Sequence, residues 1–140
     1  MVQGDPVVEY LTVGEVETMH RELMTGAGRS SILRDRGALE SAVHWPRNAA
    51  YYDQAGLFAQ AASLMAGIAL AHAFEDGNKR LAYAAMLTFL RLNNIRITAP
   101  SEAIADRVLV LVNRTVSLDQ AIQECAAWLE RHGTKKRQIG

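Results

Sequence analysis

Apolar residues recur every three or four positions along most of the chain, and short polar breaks separate the periodic stretches. That spacing places them on one side of a helix. Val13, Val16, Met19, His20 and Leu23 form the first stripe. Thr12-Val13-Gly14-Glu15, in front of it, has the Ser/Thr-x-x-Glu form of a capping box, and the stripe ends near Gly26. Thr25–Ser31 (TGAGRSS) reads as a loop. Asp35 is placed to cap a second helix with Leu39, Ala42 and Val43 on its apolar face. Pro46 is expected to stop that helix, because the residue before a proline is pushed out of the α region. Pro46–Gln54 (PRNAAYYDQ) has little helical period and is expected to be a connector, a short hairpin or a flap.

An Ala-rich helix is predicted over about residues 56–72, broken by Phe74-Glu75-Asp76-Gly77. A fourth helix runs from about Asn78 to Asn93, packing through Leu81, Ala84, Ala85, Leu87, Phe89 and Leu90. Ile95–Thr98 is a short extended piece. Ser101 is expected to cap a fifth helix that ends near Asn113. Ser117-Leu118-Asp119-Gln120 is a second capping box, opening a helix with Ile122, Cys125, Ala126 and Leu129. The pattern is that of an all-α protein, a compact helical bundle around one buried central helix.

Composition narrows this further. The chain has 140 residues, a one-domain length, and 49% of them are hydrophobic, which excludes disorder. A single cysteine, Cys125, excludes an internal disulfide; it fits a reducing compartment and reads as a small core hydrophobe. Lys+Arg and Asp+Glu both total 15, so the domain-wide basic bias of a general nucleic-acid binder is missing. Locally the charge is uneven: residues 131–140 carry Arg131, Lys135, Lys136 and Arg137 and no acid. A single domain over 1–133 followed by a frayed basic tail, 134–140, is expected.

The opening MVQGDPVVEY has neither the basic flank nor the apolar stretch of a secretory leader. Residues 54–74 carry no Asp, Glu, Lys or Arg and are long enough to span a bilayer. Eight of the 21 are alanine, however, and Gln60, Ser63 and His72 interrupt them, so a buried bundle helix is the better reading. A cytoplasmic protein with no membrane or direct nucleic-acid partner is expected. His20, His44 and His132 share no ligand spacing with one another or with Cys125, so no zinc site is expected. Trp45 and Trp128 read as core anchors; Tyr51 and Tyr52 either cap the bundle or form part of a flap over the site.

The chemistry is concentrated in His72-Ala73-Phe74-Glu75-Asp76-Gly77-Asn78-Lys79-Arg80, where the most apolar helix ends and the next begins. The first turn of a helix presents unpaired N–H groups and the positive end of the macrodipole, which together attract anions. Gly77 allows a tight turn and close approach of a ligand to the backbone. Asn78, Lys79 and Arg80 add donors and two full charges at the helix start, where cations oppose the dipole unless an anion is present. Asp76, beside this positive turn, is the type of group that holds Mg²⁺ together with phosphate oxygens. His72 is the type of group that takes a proton from a hydroxyl nucleophile, and Phe74 is the apolar anchor between them. These residue types point to phosphoryl or nucleotidyl transfer.

HAFEDGNKR resembles the H-x-F-x-D-G-N-K-R signature of the Fic/Doc superfamily, in its Doc (death-on-curing) branch. The likeness extends over about residues 10–130, including YLTVGEVETMHRELM, Leu39–Ala42 before Pro46, and Phe89–Asn93. It implies an all-α Fic/Doc bundle. It also implies that His72 is the catalytic histidine, that Asp76 binds Mg²⁺, and that Gly77, Asn78, Lys79 and Arg80 hold the nucleotide phosphates of ATP. The branch that transfers AMP usually has Gly where Lys79 stands and an Arg where Tyr83 stands, so both departures favour the Doc branch. The resemblance therefore implies a kinase that passes the γ-phosphate of ATP to elongation factor Tu, neutralised by a small Phd-like antitoxin. Two other readings stand beside it: an AMP transferase, or a catalytically silent member that only binds an antitoxin. No Ser/Thr-x-x-x-Glu followed by Gly or Asn is present, so inhibition in trans is expected.

Overall fold

The computed structural model describes residues 7–135. Among these, six helices follow one another: α1 (Val13–Gly26), α2 (Arg36–Asp53), α3 (Leu57–Ala71), α4 (Asn78–Leu92), α5 (Ser101–Val112) and α6 (Leu118–His132). Two short strands, β1 (Ile95–Ile97) and β2 (Gly133–Lys135), complete the fold. The bundle is built around α3, whose residues Gln60 to Ala69 are all buried, with α2, α4 and α6 packed on its sides. Small side chains explain how one helix takes neighbours on every face: Ala61, Ala62, Ala66, Gly67 and Ala69 let the surrounding helices approach closely. At 15 residues α3 is roughly 22 Å long, short of a bilayer core. No helix among the described residues is long and apolar enough to cross a membrane.

Most helix starts follow the sequence. The Thr12 hydroxyl accepts from Glu15 N–H while the Glu15 carboxylate accepts from Thr12 N–H, a full capping box. Asp35 accepts from Ala38 N–H. Ser117 accepts from Gln120 N–H, which is one half of the expected box. Ser101 is the first helical residue of α5 and not its cap; Pro100 holds that position, its fixed φ leading into the helix.

Pro46 does not stop α2. The helix continues through it to Asp53, so Pro46–Gln54 forms neither a hairpin nor a flap. Proline inside a helix removes one backbone bond, and tertiary contacts outweigh that loss here. Pro46 is buried, Trp45 packs on α3 at Gly67, and the Arg47 guanidinium lies 4.5 Å above the Tyr10 ring. Tyr10 in turn donates to Gln60, a buried amide near the start of α3, at 2.8 Å. Tyr51 and Tyr52 fall in the last turn of α2, edge to face at 4.8 Å and largely exposed, so they do not cap the core.

The chain end also differs from the expected frayed tail. Gly133–Lys135 pairs antiparallel with β1, Arg96 opposite Thr134, and Thr98 N–H donates to the His132 carbonyl. Residues 136–140 of that tail lie outside the described residues. Trp45 and Trp128 are both half-buried against the core, Trp128 stacked on His132 at 4.1 Å. Cys125 is buried, and burial pushes its thiol up to about 11 against the opposing pull of Arg107.

Candidate active site

Helix α3 ends at His72, which adopts the left-handed conformation with φ 50. That turn swings the chain out of the bundle and leaves the imidazole exposed on the wall of an open cleft. Ala73 and Phe74 dip back into the core. Here the backbone is held by the segment before α2: Arg34 and Asp35 N–H both donate to the Ala73 carbonyl, and Glu75 N–H donates to the Ile32 carbonyl. Phe74 is the anchor expected from its position, and its ring stacks at 3.6 Å on the buried His20 of α1.

Gly77 makes the turn into α4. Its φ of 79 suits glycine, and a Cβ at this position would lie 2.9 Å from Met24 Sδ and 3.2 Å from His20 Nε2. No side chain caps α4, and its first turn holds no acid. The N–H groups of Asn78, Lys79 and Arg80 precede the first intrahelical bond, which Leu81 N–H makes to the Gly77 carbonyl. The Asn78 side chain is committed to the turn: its Oδ1 accepts from Phe74 N–H at 3.1 Å and its Nδ2 donates to the Phe74 carbonyl at 2.8 Å. Asn78 thus shapes the nest with its side chain and offers only its backbone donor. Lys79 and Arg80 are exposed.

The cleft has a volume of about 340 Å³, and its lining brings together His72, Asp76, Gly77, Asn78, Lys79 and Arg80, every residue that the sequence singled out. Asp76 is half exposed. Its Oδ1 accepts from Gly77 N–H at 2.7 Å and its Oδ2 pairs with Arg29 at 2.5 Å. A carboxylate oxygen therefore already occupies the turn's anion position. Glu75, beside it, pairs with Arg34 at 3.6 Å.

Two contributors were not singled out from the sequence. Arg29, in the TGAGRSS loop, lines the cleft as a third cation. His20 lies beneath the turn, its Nε2 donating to the Asp76 carbonyl at 2.7 Å and its Nδ1 2.6 Å from Ser31 Oγ. The single sequence signal for His20 was a polar residue on the apolar stripe of α1; for Arg29 there was none.

The central helix of the bundle thus ends in an exposed histidine beside an uncapped, cationic helix start, a helix terminus suited to receive an anion. Residues 10–90 match the Fic/DOC family, a span that includes every residue lining this cleft. Over 99 residues the chain is 37% identical to Toxin Doc of Mycolicibacterium smegmatis, an alignment covering 69% of this chain and 75% of that protein. The chain belongs to the Fic/DOC family.

Proposed function

We propose that this chain is a Doc-type toxin that transfers the γ-phosphate of ATP to a hydroxyl of elongation factor Tu, arresting translation, and that a small Phd-like antitoxin neutralises it. The observation that carries the reading is the cationic start of α4, with Lys79 at its second position, opening onto the same cleft as the exposed His72. The relative's description as Toxin Doc supports the toxin role and an antitoxin partner.

In this reading His72 takes the proton from the acceptor hydroxyl, whose oxygen then bonds to the γ-phosphorus as the bond to the β–γ bridging oxygen breaks and ADP leaves. Arg80, Lys79 and the unpaired N–H groups of the first turn of α4 neutralise the polyphosphate. Asp76 fits a magnesium site. It is a half-exposed carboxylate beside the phosphate nest, and the Arg29 held on its Oδ2 is exposed and free to swing away. No cluster of three or more potential metal-ligating acids, histidines or cysteines occurs among the described residues, so Mg²⁺ would draw most of its ligands from phosphate and water. When bound, the ion supplies charge neutralisation at the phosphates.

Lys79 decides the polarity. Its four-carbon stem and compact charge occupy the space that a third phosphate would need at the second residue of the turn, so the polyphosphate enters with its terminal phosphoryl group beside His72. ATP labelled separately at the α and γ positions tests this with elongation factor Tu as acceptor. Wild type should transfer the γ label, and Lys79→Gly should shift transfer toward the α label. Tyr83, standing where a second arginine would complete the alternative site, should keep that switched reaction slow. Transfer of α label alone by the wild type would replace the kinase reading with AMP transfer.

A further inference from the structure

We propose that His20 is a positioning residue: it fixes the orientation of the Asp76–Gly77 peptide, and through it the first N–H donor of the phosphate nest. The inference rests on the phosphate-site reading above and deepens it.

His20 is completely buried in the middle of α1, 56 positions away from the turn it touches. A carbonyl oxygen can only accept, so Nε2 is the donor in the 2.7 Å contact with Asp76. In the neutral ring Nδ1 then accepts from the Ser31 hydroxyl at 2.6 Å. The Phe74 ring, stacked at 3.6 Å, prevents the imidazole from tilting. Helix α1, the loop before α2 and the catalytic turn therefore meet at this one side chain.

The consequence follows from peptide geometry. In a trans peptide unit the C=O and N–H bonds point in opposite directions. His20 draws the Asp76 carbonyl toward the core, so the N–H of the same peptide, that of Gly77, points into the cleft. There it donates to Asp76 Oδ1 at 2.7 Å, the position an anion's oxygen would take. Glycine alone does not determine this arrangement. Having no Cβ, Gly77 allows either sign of φ, and the peptide before it is free to flip. A flipped peptide would turn the Asp76 carbonyl oxygen toward the phosphates and repel them. The hydrogen bond from His20 selects the orientation that binds.

The test uses the whole chain with His20→Ala, His20→Gln, which retains an amide donor, and Ser31→Ala. Three quantities are measured: affinity for pyrophosphate alone and for ATP with Mg²⁺, the Gly77 amide resonance, and the melting temperature. His20→Ala should weaken both affinities by about tenfold or more and move the Gly77 resonance, as expected when a hydrogen bond to a buried carbonyl is lost. His20→Gln should restore binding to within about threefold of wild type, with a Gly77 resonance close to the native one. Ser31→Ala should give a smaller loss, and it carries the test should His20→Ala fail to fold. A lower melting temperature with wild-type affinity and an unmoved Gly77 resonance, in His20→Ala or, if that variant does not fold, in Ser31→Ala, would reduce His20 to a core filler and overturn the proposal. A wild type that binds neither pyrophosphate nor ATP would overturn the phosphate-site reading instead.

Discussion

His72 stands in a backbone region that side chains other than glycine and asparagine occupy at a cost of about 1–2 kcal/mol. The same left-handed turn ends α2 at Gln54, so at His72 it serves first to end α3, and in the proposed reading it also sets the imidazole on the cleft wall. His72→Asn separates the two, because asparagine tolerates the same φ but offers no base. Its melting temperature should match wild type, while transfer to the acceptor falls about 100- to 10,000-fold. Near-native turnover would remove His72 from the reaction. Arg29 invites a second experiment at this scale. Its pair with Asp76 is exposed on both sides and contributes at most about 1 kcal/mol, so it can yield to a divalent cation. Arg29→Met should therefore bind Mn²⁺, read by its EPR signal without nucleotide, up to about fivefold more tightly than wild type. Equal or weaker Mn²⁺ binding would show that Arg29 does not compete for this carboxylate.

At the scale of elements, the contact between α2 and α3 determines what was legible in the sequence. Periodicity located α1, α3, α4 and α6, and caps marked the starts of α1 and α6, because those signals are local. Pro46 sent the reading of α2 wrong because its local rule is real but weaker than the packing of Trp45 and the burial of Pro46 itself. The site divides in the same way. Its candidate residues lie within nine contiguous positions and could be picked out directly, whereas Arg29, Ser31 and His20 reach the cleft or its turn only through the fold. Gly67 tests the helix contact. A Cβ there would lie 2.9 Å from Trp45 Cδ2 and 3.2 Å from the Ala42 carbonyl, close to the point where Pro46 removes the partner of that carbonyl. Gly67→Ala gains about 1 kcal/mol of helix propensity and meets overpacking of about 1–3 kcal/mol, so chemical denaturation should show a net loss. A raised midpoint would mean that the two helices do not approach this closely.

For the molecule as a whole, the cleft lies at one end of α3, while Cys125 lies on α6, among the side chains that pack on the buried central helix and α5. Titration of its thiol thus reports on global unfolding and not on the site. In the unfolded chain the thiol loses its proton near the ordinary value of 9.0; in the folded protein burial delays this to about 11. Between those values the unfolded chain has released a proton that the folded one retains, so rising pH favours unfolding. The stabilising contribution is complete below 9.0 and is lost as pH climbs through about 11, a decline on the order of 2 kcal/mol. Burial also raises the Tyr10 hydroxyl, against the opposing effect of Arg47, so tyrosine ionisation adds a slope of the same sign. Subtracting a variant isolates the thiol: urea midpoints of wild type and Cys125→Ala should run parallel up to pH 9, and from there wild type should fall faster. Parallel curves through pH 11 would show that Cys125 is reached by water in the folded state and that α6 does not seal this side of the bundle.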